Sequence, residues 1–305
     1  MAACGSAAPA TTGAGSTASG APAKGITLKV SQYTWTAAAV TDGILAAIAQ
    51  KYPELGVASV QPVQLDPAPA WAGAQRGDID VLTEVAMPNQ QALADKSKAE
   101  VSLVSKTYGG ASQGWFVPAY VVEPGGPAAG LTSVTQLNSF KNVFGGKLYD
   151  ADPGWLTTKQ NAKRLAGYGI QYQHVTSSEA AELAQLKSAY ERKQPILVYL
   201  YHPHWVFTEF KMVQLKEPTP YSADCLTTGN GACAMPEYAA WIAARKDLAQ
   251  RAPKFAGMLK SFTISLTDME QMMAKVDVQK QPVASVAQDW VNANSAQISA
   301  WITKA

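Results

Sequence analysis

The sequence predicts an α/β protein of two lobes joined by a two-strand hinge. Strands and helices alternate over residues 26–106, and a new α/β series follows a Pro/Gly-rich stretch at 124–130. Two apolar extended runs, 114–122 and 211–215, bracket that second series. At 305 residues the chain is large for one core and suits two lobes of ordinary domain size.

The elements read in order as follows. Residues 26–33 alternate like a strand, and 37–51 follow as a helix with few polar residues. A strand at 56–65, a short helix at 68–76 and a strand at 78–82 complete a βαβαβ unit, which implies parallel strands in an open sheet. A helix at 89–95 and a strand at 101–106 extend it. The middle segment carries helices at 134–140, 158–168 and 179–192 and strands at 146–149 and 195–200. Beyond 215 the chain reads as mainly helical. The division expected is 26–116 plus 214–305 for lobe one and 117–213 for lobe two, with hinge strands near 114–122 and 211–217.

Composition narrows the function. Hydrophobic residues make up 47% and charged residues 16%, with a net charge of +2, so no electrostatic case for nucleic acid arises. No run of eighteen apolar residues is present to span a membrane. Residues 1–25 form a Ser/Thr/Ala/Gly/Pro tract that cannot bury apolar surface and reads as a flexible tether. The start Met1-Ala2-Ala3-Cys4 resembles a truncated bacterial lipobox, which makes Cys4 the lipid-bearing residue and places the protein outside the cytoplasmic membrane. Cys225 and Cys233 bracket a seven-residue loop with two glycines, short and pliable enough for a structural disulfide in an exported protein. Two cysteines without a nearby histidine make a poor metal site.

Enzyme signatures are sparse. Gly145-Gly146-Lys147 lacks the phosphate-loop spacing, and no Gly-x-Ser-x-Gly elbow occurs. A hydrolytic or metal site built on His202, His204 and Glu84 is the enzymatic alternative. Aromatic residues carry the stronger signal. Trp35 follows the first strand, Trp71 lies on the short second helix, and Trp115 sits on the first hinge run. Asp152-Pro153-Gly154-Trp155 and Tyr201-His202-Pro203-His204-Trp205 put rings beside the expected strand ends, where open α/β sheets bind ligands. Indole faces hold a cation that has no hydrogen to donate. Trp241, Trp290 and Trp301, in the late helical region, suit core packing instead.

Five ordered motifs, Tyr33-Thr34-Trp35-Thr36, Gly77-Asp78-Ile79-Asp80-Val81 with Glu84, Gly114 to Tyr120, Asp152 to Trp155 and Pro203-His204-Trp205, resemble those of the glycine betaine/proline betaine substrate-binding proteins of bacterial ABC importers. The likeness runs over nearly all of 26–300. It implies a hinged, venus-flytrap, periplasmic-binding-protein-like fold of type II that holds a betaine-like ligand between its lobes without a cofactor, acting as a monomer that delivers to a membrane permease. Trp155, Tyr201, His204 and Trp205 match family cage positions, with Tyr201 where Trp is common. Val40 and Thr41 stand at the position whose backbone takes the ligand's carboxylate. The departure is Ala86, where the family often has Trp. Trp35 or Trp71 then completes the cage, or the space admits choline, carnitine or a hydroxylated betaine, for transport or for sensing.

Overall fold

The computed structural model describes residue 1 and residues 25–305, so the tether and Cys4 lie outside the described residues. Ten strands are present among these: β1 (Ile26–Gln32), β2 (Val57–Gln64), β3 (Val81–Met87), β4 (Val101–Ala111), β5 (Gln113–Pro118), β6 (Lys147–Asp150), β7 (Gln173–Thr176), β8 (Val198–Tyr201), β9 (Met212–Gln214) and β10 (Tyr238–Arg245). They make two five-stranded sheets, one in each lobe, in the orders β2-β1-β3-β10-β4 and β7-β6-β8-β5-β9.

The two sheets share one plan. In each, three parallel strands are followed by an antiparallel fourth strand, β10 in the first sheet and β5 in the second. Each fourth strand is the first its sheet receives after the chain crosses between lobes. The first crossing is a single residue, Ser112, between β4 and β5. The segment carrying the Cys225–Cys233 disulfide packs on the second lobe, where Lys163 donates to the Thr227 carbonyl and Arg164 to that of Cys233. The return crossing therefore falls just before Tyr238.

β10 is the exception to the expectation that the chain beyond 215 is mainly helical. Its sequence, Tyr-Ala-Ala-Trp-Ile-Ala-Ala-Arg, is rich in the best helix former. Its place between β3 and β4 decides otherwise: Ala240 and Ala243 are fully buried, and small side chains suit a strand covered on both faces. The first sheet is consequently mixed, not purely parallel, and Trp241 sits on a strand. β4 also runs five residues beyond its expected end, and β7 was not anticipated. The remaining late segments are helical. Helix Val283–Ala293 packs on helix Thr36–Lys51, where Gly43 allows an approach that a side chain would crowd against Val283 and Ala287. Trp290 and Trp301 are buried there, 6.5 Å apart.

Candidate functional site

The carboxyl ends of β1 and β3 in one lobe face those of β6 and β8 in the other, and the residues just beyond them line a cleft of about 550 Å³, counting its open mouth. Trp35 caps the start of helix Thr36–Lys51, and Trp155 caps the start of helix Leu156–Gly167. Tyr201 ends β8, with Tyr199 two residues earlier on the same face. Tyr108 on β4 and Tyr238 on β10 complete the aromatic lining.

The rings form a continuous chain across the lobes. Tyr33 stacks on Trp35 at 4.4 Å, Trp35 meets Trp155 edge-on at 5.1 Å, and Trp155 meets Tyr201 at 6.0 Å. The Trp155 indole N–H donates to the Thr34 hydroxyl at 2.8 Å, a bond from one lobe to the other. Ala86 lines the cleft as expected of a missing wall. Tyr108, paired in register with Ala240, which in turn faces Ala86, supplies a ring two strands away.

Two polar residues of the lining, Glu84 and Gln113, connect several elements. Glu84 is buried, receives hydrogen bonds from the Thr41 hydroxyl at 2.9 Å and from the Tyr108 hydroxyl, and lies on a bulge where Thr83 and Glu84 together oppose Ile242. Its φ of +52° is left-handed, a conformation costing a non-glycine residue roughly 1–2 kcal/mol. Burial pushes its carboxyl up to about 7, although both hydroxyls pull the other way. Gln113, directly after the Ser112 crossing, exchanges amide hydrogen bonds with Asn89 at 3.1 and 3.2 Å. It also donates to the Pro236 carbonyl and accepts from the Tyr199 hydroxyl, so one side chain ties both crossings to the cleft.

The residues expected from sequence separate into groups. Trp35, Trp155 and Tyr201 line the cleft. His204 is buried behind Tyr201, 5.3 Å between ring centres and 3.5 Å from Glu179. Trp205 faces a second, wider groove between the lobes with Glu179, Phe210 and Asp277. Trp71 stands one layer back, donating at 2.7 Å to Gln90, which does line the cleft. Trp115 is fully buried in the second lobe, bonded to Asn161 with the Arg164 guanidinium 4.3 Å over its ring, so its cation is internal. Val40 and Thr41 are also fully buried, because the helix starts at Thr36 and its free first-turn amides precede them. Thr41 acts through its bond to Glu84. Tyr108, Tyr199, Tyr238, Asn89, Gln90 and Gln113 were not anticipated. The alternation of Tyr199 and Tyr201 was the available signal for one of them.

The enzymatic alternative finds no constellation. His202 pairs with Glu270 at 3.0 Å, His204 neighbours Glu179, and Glu84 bonds Tyr108 and Thr41, so the three groups have separate partners. Among the described residues no group of three or more His, Cys, Asp or Glu is placed to hold a metal, and no helix is long and apolar enough to cross a membrane.

Comparison with known proteins agrees with this architecture. A glycine betaine/carnitine transport binding protein of Listeria monocytogenes is 28% identical over 157 residues, covering 50% of this chain and 47% of the relative, so the match spans about half of its length. A choline binding protein of an ABC transporter, solved with choline, superposes with a TM-score of 0.75 at 21% identity over 91% of both chains. Lactococcal OpuAC, closed around glycine betaine, gives the same score and identity over 90% of this chain and 99% of its own. At that identity the structures speak to the fold, a two-lobe substrate-binding architecture. Residues 26–293 match the model of the substrate binding domain of ABC-type glycine betaine transport systems, and the chain belongs to that family.

Proposed function

We propose that this protein is the extracytoplasmic solute-binding component of an ABC importer and that a quaternary ammonium compound is held in the cleft between its lobes. The observation that carries this reading is the cleft lining: Trp35, Trp155, Tyr108, Tyr199, Tyr201 and Tyr238 converge from both lobes, and among the described residues no lysine, arginine or histidine joins them. Aromatic faces attract a methylated ammonium, and enclosure between lobes removes the water that would compete. Family membership and the ligands named for the similar proteins support the same class.

Binding closes the lobes about the crossings at Ser112 and before Tyr238, and the closed form docks on the permease. The lobes then divide at those crossings, into 26–111 with 238–305 and 113–237, in place of the 116/117 and 213/214 divisions expected from sequence, and the disulfide loop belongs to the second lobe. No turnover accompanies binding. Anchoring through Cys4 keeps a monomer on the outer face of the membrane, and the Cys225–Cys233 bond supports an oxidising location. The room beside Ala86 and the polar Asn89, Gln90 and Gln113 favour a second reading within the same site, a larger or more polar ligand such as choline, carnitine or a hydroxylated betaine.

Calorimetry of the purified chain against glycine betaine, proline betaine, choline and carnitine tests the proposal. One-to-one binding of at least one of them is expected, and heat-silent titrations with all four would refute it.

A further inference from the structure

The hydrogen-bond inventory of the cleft is lopsided. All four tyrosine hydroxyls that line it donate to protein acceptors: Tyr108 to Glu84, Tyr199 to Gln113, Tyr201 to Glu179 and Tyr238 to the His202 carbonyl. The Trp155 indole donates to Thr34, and the Gln113 amide to Pro236 and Asn89. Among the described residues, the one charged side chain in the lining is the Glu84 carboxylate, and no cation accompanies it. Each Glu84 oxygen receives one hydroxyl and keeps a second lone pair. The donors left for a ligand carboxylate, among them the Trp35 indole, the Gln90 amide and the first-turn amides at Leu156 and Thr157, are all neutral and share the cleft with that negative charge.

We propose, building on the reading of this cleft as the ligand site, that Glu84 is its specificity-determining residue and selects a net-cationic ammonium alcohol of the choline class over net-neutral betaines. The carboxylate balances the ligand's charge and accepts a hydrogen bond from its hydroxyl, whereas a betaine brings a second carboxylate into a cleft whose one charge is already negative and whose free donors are neutral. The left-handed bulge that aims Glu84 between Thr41 and Tyr108 is retained for this placement.

Groups facing Glu84 come from each neighbouring element: Tyr108 from β4, Tyr238 from β10, Tyr33 after β1, and Thr41 and Asp42 from helix Thr36–Lys51. None is a cation. Glu84 therefore gains a proton as pH falls through about 7, and the preference for a cation fades with its charge.

The test is calorimetry of the full chain with choline and with glycine betaine at pH 8 and pH 6, on the wild type and on Glu84→Gln. At pH 8 the wild type should bind choline on the order of tenfold more tightly than glycine betaine. Lowering the pH to 6 and substituting Gln should each shrink that ratio several-fold. A wild-type ratio at or below one at pH 8, or a ratio that neither pH nor the substitution moves, overturns the assignment and leaves the ammonium site standing. Binding of neither ligand by the wild type overturns the proposed function and this inference together. The pH comparison on the wild type does not depend on the variant folding.

Discussion

At the residue scale, Trp155 is the centre of the proposed cage: it touches Trp35 and Tyr201 and reaches Thr34. Trp155→Ala removes one desolvated cation–π wall, an expected loss of about 1–2 kcal/mol, or roughly tenfold or more in dissociation constant by calorimetry. An unchanged constant would exclude Trp155 from the site. Trp35, Trp155 and Tyr201 were legible in the sequence because each follows or ends a strand within a short, aromatic turn. Tyr108 and Tyr238 were not, because their entry into the cleft depends on which strands are neighbours. Trp115 and Trp71 misled for the opposite reason: a tryptophan on a hinge run or a short helix looks available until its N–H is found bonded inward, to Asn161 and to Gln90.

Among the elements, β10 is the one that sequence periodicity misassigned and the one the first sheet depends on. Alanine's helix propensity is a weak prior of a few tenths of a kcal/mol per residue, and pairing on two sides outweighs it. Ala243 is fully exposed to packing and not at all to water, so Ala243→Leu should overpack the sheet. Chemical denaturation is expected to register a loss of about 1–3 kcal/mol, and a midpoint equal to wild type would show that the core has slack there. The parallel units around β1, β2, β6 and β8 were readable because alternating or apolar strand segments are separated by amphipathic or small-residue helices. The bulge in β3 was not, since nothing local marks Glu84 as the residue that adopts positive φ.

For the whole molecule, several buried carboxyls govern how stability responds to pH. Burial raises Asp42 and Glu182 well above the usual carboxylate range and Glu84 from 4.5 to about 7. A folded value above the unfolded one means that the native state holds the extra proton between the two. Stability should therefore fall as pH rises from about 4.5 through about 7, and level off for Glu84 beyond that. Scanning calorimetry of the ligand-free chain should give a lower Tm at pH 8 than at pH 5, with Glu84→Gln reducing the difference. A Tm that rises across this interval would contradict the burial of these groups in neutral form. Two lobes were legible from two successive α/β series, but the extended runs read as hinge strands are β5 and β9, paired neighbours inside the second sheet, and the shared plan of the sheets was hidden because each fourth strand arrives from across a crossing.

The bond from the Trp155 indole to Thr34 makes one ring both a recognition surface and a strut. Whatever fraction of unliganded molecules already has that strut in place divides the intrinsic dissociation constant to give the observed one. Thr34→Val, which takes away the acceptor but no cage ring, should then weaken every ligand by a common factor and leave their ranking intact, as a calorimetric panel would show. A reordered ranking would mean that Thr34 reads the ligand itself. Recognition and readiness thus meet at a single nitrogen, and the two ends of its bond can be used to titrate one against the other.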